Sequence, residues 1–246
     1  MTTEHKKIYI ENLYYSLISI FGLFLLILLV FYAPNPKILY YFQKQLILSV
    51  FILICILGMV AAVSPSRCAE FLSLKHYQKS DHKFNKIEKR SNFGKKFKGH
   101  HPECNNFKSH TFSLMEKKYC AGCSGLFIGA LIAVIGTIIY YFYGISDGID
   151  GRLIFFIGFT SVLVYLLQDL LLDINSTFAK FLFNMILVLG SFMILIGIIE
   201  LNSSIFIQLF FMVLVFIWIL GRIASSEKKH YKVCNECSIK SSCIYR

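Results

Sequence analysis

Six residues that could bind a metal lie within 24 positions of one another in the middle of the chain. They occur in the run H-H-P-E-C-N-N-F-K-S-H-T-F-S-L-M-E-K-K-Y-C-A-G-C and are His100, His101, Cys104, His110, Cys120 and Cys123. Zinc in proteins is held by four thiolate or imidazole donors, and a C-x-x-C pair supplies two of them from one tight turn. The chain has only eight cysteines and seven histidines, so this clustering predicts a zinc site.

The four ligands of this site can be chosen in two ways. Cys120 and Cys123 form the C-x-x-C pair, and the preferred set completes it with Cys104 and His110. His101 is the main competitor of His110, because His101-x-x-Cys104 repeats the spacing of the C-x-x-C pair. Both choices contain three cysteines and one histidine.

A second group of potential ligands lies in the C-terminal tail. It consists of His230, Cys234, Cys237 and Cys243, and it contains another C-x-x-C pair. These residues could close a tetrahedral zinc site alone, or the tail thiols could complete the site that begins in the loop. The three cysteines could instead hold an iron–sulfur cluster with a fourth ligand from elsewhere, but their spacing does not match the common ferredoxin patterns, so zinc is the expected cofactor.

Two carboxylates end the fourth apolar stretch of the chain. Asp169 and Asp173 are four residues apart and therefore share one face of a helix. A charged side chain costs about 2.5–3.5 kcal/mol at the centre of a bilayer and less near its surface. In one interpretation Asp173 caps the helix and Asp169 pairs with a base such as Arg222. In the other, the two acids handle protons or deliver metal.

The helices that must carry these residues are predicted to span a membrane. Hydrophobic residues make up 56% of the 246 residues and charged residues only 16%, whereas soluble domains have about 25% charged residues. A bilayer core about 30 Å thick needs about 20 apolar residues in helical form. Six stretches satisfy this condition: 12–33, 45–63, 123–144, 153–172, 181–199 and 203–221. The predicted fold is therefore all-α, with six transmembrane helices.

The distribution of basic residues predicts the orientation. With six spans, 22 of the 25 lysines and arginines fall on the side of the two termini and only 3 on the other side. Basic residues are retained in the cytoplasm, so both termini and both cysteine groups are predicted to face the cytoplasm from the cell membrane, where thiols stay reduced. The chain then divides into residues 1–64 with two spans, a basic loop 65–119, residues 120–223 with four spans, and a cysteine-rich tail 224–246.

The first half of the basic loop is predicted to contact lipid. Apolar and basic residues between positions 71 and 90 alternate at nearly helical spacing. Such a helix would lie on the inner surface of the bilayer with its lysines near anionic headgroups. The alternative is a solvated basic linker, and neither interpretation calls for a nucleic-acid partner.

The start of the third span has two further features. Cys120 and Cys123 lie where the helix N–H groups and the positive end of its dipole would favour thiolates, which also suits a redox-active pair. Gly125, Gly129 and Ala133 then recur every four residues, the spacing that lets two membrane helices approach closely. This close approach could occur within the bundle or in a homodimer.

The segment from His100 to Gly129 resembles a family of small multi-pass prokaryotic membrane proteins classed as a domain of unknown function. The resemblance rests on H-H-P-E-C, His110 and C-A-G-C-S-G-L-F-I-G, about 30 of the 246 residues. It implies a multi-pass architecture and a functional core that includes Cys104, Cys120, Cys123 and Gly125. It implies no activity.

Three functions are compatible with the sequence. The favoured one is a non-enzymatic membrane protein with one or two cytoplasmic zinc sites, which acts as a sensor or through a membrane-protein partner or a homodimer. The first alternative is a membrane thiol–disulfide oxidoreductase that uses Cys120 and Cys123. The second is a transporter of metal or of another small solute. No catalytic residue is assigned.

Overall fold

The computed structural model describes residues 3–32, 41–63, 97–98, 111–114, 117–144, 150–172, 176–202 and 204–235. These residues form six helices and three short strands. The helices are α1 (Thr3–Tyr32), α2 (Tyr41–Val63), α3 (Ala121–Tyr143), α4 (Gly151–Leu171), α5 (Thr177–Leu201) and α6 (Ile205–Asn235). The strands are β1 (Phe97–Lys98), β2 (Thr111–Leu114) and β3 (Lys117–Cys120).

All six helices are long and apolar enough to cross a membrane. The prediction of a multi-pass protein with six helical spans is confirmed by the length and composition of these helices. Large apolar side chains also cover the outside of the bundle, such as Phe21 at 70% exposure and Phe206 at 79%. A surface of this kind is suited to lipid and not to water.

Helix α6 is longer than the apolar stretch that predicted it. The sequence placed the end of the sixth span at Gly221, whereas the helix continues to Asn235. Hydropathy marks where apolar residues stop, but a helix can continue into polar sequence because its backbone hydrogen bonds are internal. His230 and Cys234 therefore lie within helix α6.

Helix α5 is the most buried of the six and packs between α3 and α4. Its contact with α3 passes through small residues: Gly125 lies against the backbone of Phe181, and Gly129 lies against Met185. The two helices run in parallel, since both contacts join residues 56 positions apart. The small-residue face predicted for the third span is thus occupied by a helix of the same chain.

Helix α1 packs antiparallel to α6. Gly22 lies against Leu214, Tyr15 lies near Gly221, and the Lys228 ammonium lies 4.7 Å from the ring centre of Tyr9. This pairing brings the beginning of α1 and the end of α6 to one end of the bundle.

The three strands form a small sheet in the order β1-β3-β2. Strand β3 pairs in parallel with β1 and antiparallel with β2, and the rings of Phe112 and Tyr119 stack 5.9 Å apart on adjacent strands. Strand β3 leads directly into α3. These strands are not predictable from the sequence pattern, because they are only two to four residues long and have no sustained alternation.

Candidate functional site

The predicted C-x-x-C pair lies where β3 becomes α3. Cys120 is the last residue of β3 and the N-cap of α3, and Cys123 is in the first turn of the helix. Cys120 is 4% exposed and Cys123 is half-buried. The prediction that the pair opens the third membrane helix is confirmed. Unpaired N–H groups and the positive end of a helix dipole favour thiolates at this position. We call the end of the bundle where α3 begins the cysteine end.

The small sheet pairs Cys120 with a residue next to His110 in the sequence. In the β2–β3 pairing, Thr111 lies directly opposite Cys120. Residues that pair in this way have Cα atoms about 4.5–5.5 Å apart. His110, the preferred imidazole ligand, immediately precedes Thr111 in the sequence.

A guanidinium group from α6 lies beside the two thiols. A Cβ atom on Gly122 would be only 2.7 Å from Arg222 Nη2, so the guanidinium occupies the space that a side chain at position 122 would fill. Arg222 Nε donates a hydrogen bond to Asn184 Oδ1 on α5. The positive charge of Arg222 lies within electrostatic range of both Cys120 and Cys123.

Asp169 of α4 is hydrogen-bonded to two residues of α6 that follow Arg222 on the same helix face. Its Oδ1 accepts hydrogen bonds from Ser225 Oγ at 2.6 Å and from Lys229 Nζ at 2.7 Å. Asp169 therefore does pair with a base, but its partner is Lys229 and not Arg222. Arg222 is directed toward Gly122 and Asn184, and it acts on Asp169 only through a longer-range charge interaction.

Four helices thus contribute to one polar group, which we call the cysteine-end cluster. Its members are Cys120, Cys123, Asp169, Asn184, Arg222, Ser225 and Lys229. Tyr165, which is 5% exposed, lies within electrostatic range of both Asp169 and Arg222. A buried group of this kind needs its charges paired and its hydrogen bonds made, and most of its members meet this requirement through one another.

The side chain of Asn12 is a buried amide near this cluster. Asn12 is 1% exposed, and its Oδ1 accepts no hydrogen bond from any residue that the structure describes. The α1–α6 pairing places Asn12 at the level of Ser225, because Tyr15 lies near Gly221 and Tyr9 near Lys228.

The other end of the bundle has polar contacts of its own. Tyr140 Oη donates to Glu200 at 2.6 Å, and the Lys44 ammonium lies 4.1 Å from the centre of the Tyr140 ring. Gln43 Nε2 donates to the amide oxygen of the fully buried Gln208 at 3.2 Å. Asn184, Glu200 and Gln208 are each hydrogen-bonded to a residue of another helix.

Most of the predicted metal ligands lie outside the described residues. This applies to His101, Cys104, His110, Cys237 and Cys243, and the acid Asp173 and the basic segment 71–90 also lie outside the described residues. Of His230 and Cys234, only the helical backbone is described. Within the described ranges, no three histidine, cysteine, aspartate or glutamate side chains form a group that could hold a metal ion.

Sequence reasoning identified Cys120, Cys123 and Asp169 but missed most of their neighbours. A usable signal was present in α6, where Arg222, Ser225 and Lys229 are spaced three and four residues apart and so share one helix face. The partner of that face could not be read from the sequence, because it depends on how the helices are rotated against one another.

No protein-family model, no curated protein and no solved structure was found to match this chain. The resemblance to a membrane family of unknown function therefore stays a prediction.

Proposed function

We propose that this protein is a non-enzymatic membrane protein whose cysteine end carries a zinc site built on Cys120 and Cys123. The observation that carries the proposal is the position of this pair at the first turn of α3, with the Arg222 guanidinium against Gly122, one of the two residues that separate the cysteines in the sequence. A helix start and a nearby cation both favour the thiolate form, and the thiolate is the form that binds zinc.

The remaining ligands are proposed to be Cys104 and His110, with His101 as the competitor of His110. The pairing of Thr111 with Cys120 supports His110, because the residue before Thr111 in the chain is His110. A short sheet has little apolar core to stabilise it. A structural zinc site contributes about 10–16 kcal/mol of apparent folding free energy, which would fix the loop on the bundle.

The tail ligands are proposed to act at the same end of the molecule. Helix α6 passes the first turn of α3 at Arg222 and then continues to Asn235. His230, Cys234, Cys237 and Cys243 follow this contact in the chain. They would form a second zinc site or complete the first one.

The cysteine end is proposed to face the cytoplasm from the cell membrane. The placement of 22 of the 25 lysines and arginines on the side of the termini supports this orientation. Anionic lipid headgroups at the basic loop, and either a membrane-protein partner or a second copy of the chain, are the proposed contacts.

The second candidate function is thiol–disulfide exchange. It is favoured by the cation beside Cys120 and Cys123, since a nearby positive charge also makes thiols more reactive. In this reaction the two thiols would be oxidised to a disulfide, while the disulfide of a partner, such as one between Cys234 and Cys237, would be reduced to two thiols.

Metal and thiol measurements on one preparation test the proposal. The full chain is purified in detergent under reducing conditions, and bound metals and reactive thiols are measured for the wild type and for Cys120→Ser. Cys55→Ala is the matched control, because Cys55 is buried in the apolar core of the bundle.

We expect about one or two zinc ions per wild-type chain, with protected thiols. We expect zinc to be lost from Cys120→Ser and retained by Cys55→Ala. Metal-free thiols that cycle to a disulfide would contradict the zinc proposal and support the oxidoreductase. Bound iron with visible colour would contradict the zinc proposal and indicate an iron–sulfur cluster.

A further inference from the structure

Three buried polar atoms have no hydrogen-bond partner among the residues that the structure describes, and all three belong to α1 or α6. They are Asn12 Oδ1, Gln208 Nε2 and Trp218 Nε1, and their residues are at most 2% exposed. A buried donor or acceptor without a partner is costly, so a structure that keeps one requires an explanation. A polar molecule bound at that place is such an explanation.

Two of these atoms lie in the half of the bundle near the cysteine end. The antiparallel pairing of α1 with α6 brings Trp218 level with Ser19, and Asn12 is two turns nearer to the cysteine end. At 1.5 Å per residue, the buried acceptor and the buried donor are about 10 Å apart along the helix axis.

The face of α1 between these levels is polar. Asn12, Ser16 and Ser19 occur at positions i, i+4 and i+7, so they share one face of the helix. Their exposures are 1%, 7% and 1%. Further along the same face, Leu23 and Leu26 are fully buried and apolar. The polar part of this face therefore begins at the cysteine end and stops near the middle of the span.

Helix α4 lies opposite this polar face. Two aromatic contacts show that α4 runs antiparallel to α1, namely Phe24–Phe159 and Phe31–Phe155. Continued toward the cysteine end, this pairing brings Tyr165 level with Ser19 and Asp169 level with Ser16. The Asp169 carboxylate also accepts a hydrogen bond from Ser225 of α6. Polar groups of three helices therefore meet in one region, which we call the polar junction.

The polar junction separates two parts of the bundle that are packed more closely. Glycines bring α3 and α4 against the backbone of α5, and Gly22 brings α1 against α6. Among the described residues, no glycine contact joins α4 to α1 or α6. At the cysteine end, α4 is instead joined to α6 by the hydrogen bonds of Asp169 with Ser225 and Lys229. Since the Lys229 side chain is 29% exposed, water competes for this link, and the junction can open to the water at this end.

We propose that the polar junction is a binding site for a small uncharged molecule that carries hydroxyl or amide groups and enters from the cysteine end. Asn12 Oδ1 accepts a hydrogen bond from this molecule, and Trp218 Nε1 donates one to it. The molecule is uncharged because both unpartnered groups are neutral and Asp169 is already paired with Lys229. A charged molecule would bring an uncompensated charge into the membrane region. This site does not depend on the proposed zinc site.

Thiol labelling of Ser19→Cys tests the proposal. The probe is 2-hydroxyethyl methanethiosulfonate, a small uncharged reagent that carries a hydroxyl group. The full chain is labelled in detergent, and peptide mass spectrometry measures the modification at position 19 separately from that of the native cysteines. Leu26→Cys is the matched control, because Leu26 is equally buried on the same face of α1 but lies beyond the polar junction.

We expect Ser19→Cys to react about tenfold or more faster than Leu26→Cys, because labelling follows the population of the open site. Asp169→Asn should accelerate the reaction at position 19 further, since it weakens the link to Lys229. Equal rates for Ser19→Cys and Leu26→Cys would overturn the proposal.

A second comparison uses one and the same variant and so does not depend on the folding of another. The cationic 2-(trimethylammonio)ethyl reagent should label Ser19→Cys about tenfold more slowly than the uncharged reagent, after each rate is divided by that with a free thiol in solution. Equal corrected rates would show that only water fills the junction and would overturn the selectivity for an uncharged molecule.

The two unpartnered atoms are tested by Asn12→Leu and Trp218→Phe, which remove them and keep a large side chain in place. Each should slow the labelling of Ser19→Cys by the uncharged reagent severalfold. Unchanged labelling in both would show that these atoms do not bind the molecule.

Discussion

The carboxylate of Asp169 and the ammonium group of Lys229 lie 2.7 Å apart and join α4 to α6 at the cysteine end. Ser225, one turn before Lys229, donates a second hydrogen bond to the same carboxylate oxygen. Asp169 is 10% exposed and Lys229 29% exposed at their side chains. The pair is therefore sheltered enough to contribute to stability and accessible enough that water reduces its strength.

Removing the carboxylate should destabilise the bundle by leaving a partly buried cation without its partner. We expect Asp169→Ala to lower the free energy of unfolding by about 1–3 kcal/mol, less than for a fully buried pair. Thermal unfolding in detergent measures this effect. The double variant Asp169→Ala with Lys229→Met should recover part of the loss, and a double variant that is less stable than Asp169→Ala would contradict the pairing.

Close contact between α3 and α5 predicts a strong effect of one added methyl group. A Cβ atom on Gly125 would clash with the backbone carbonyl of Phe181, which cannot move aside as a flexible side chain can. We expect Gly125→Ala to cost about 1–3 kcal/mol, as overpacking of a core does. Gly58→Ala in α2 is the matched control, since nothing lies within 4 Å of the added Cβ. Equal melting temperatures of the two variants would show that the α3–α5 contact is looser than described.

The six spans and the location of the C-x-x-C pair could be predicted because both depend on local sequence. Apolar length predicts a span, and the run that begins near Cys123 predicts a helix start. The faces of the helices could not be predicted in the same way. Phe21 is 70% exposed and Phe51 is 1% exposed, yet both are apolar, because lipid and protein core favour the same side chains.

The partners within the cysteine-end cluster could not be predicted either, because they depend on which helix faces pack together. Asn184 and Arg222 are 38 residues apart in the chain, and only the packing of α6 against α5 brings them together. In one interpretation of the sequence, Asp169 pairs with a base such as Arg222, since both residues lie at the same predicted end of the bundle. The rotation of α6 instead turns Lys229 toward Asp169 and Arg222 toward Gly122.

At the opposite end of the bundle, the hydroxyl group of Tyr140 should contribute to stability. It donates to Glu200 at 2.6 Å, and the Tyr140 side chain is 4% exposed. Tyr140→Phe keeps the ring under Lys44 but removes the hydrogen bond, which should cost about 1.5–3 kcal/mol for a bond to a charged group. Tyr143→Phe is the control, because Tyr143 is 84% exposed. Thermal unfolding of the two variants should differ, and equal values would argue against the Tyr140–Glu200 bond.

Gly122 should affect the metal site more than the fold. The atom that an added Cβ would meet is the tip of the Arg222 side chain, which can move without displacing backbone. We expect Gly122→Ala to leave the melting temperature within about 2–4 °C of the wild type and to weaken zinc binding. In the Arg222→Gln background the same substitution should have little further effect on zinc affinity. Additive losses of affinity in the double variant would show that Gly122 acts independently of Arg222.

Removal of zinc should release the loop before it affects the bundle. The sheet that contains β2 and β3 is small, whereas the six helices are held by an extensive apolar core. We therefore expect a chelator to accelerate trypsin cleavage within residues 65–119 by about tenfold or more, because cleavage follows the population of the opened segment. Cleavage within the helices should not change. The Cys120→Ser variant should already be cleaved at the faster rate, with no further response to the chelator. A wild-type loop that is cleaved equally fast with and without the chelator would mean that zinc does not fix this segment, even if the metal is bound.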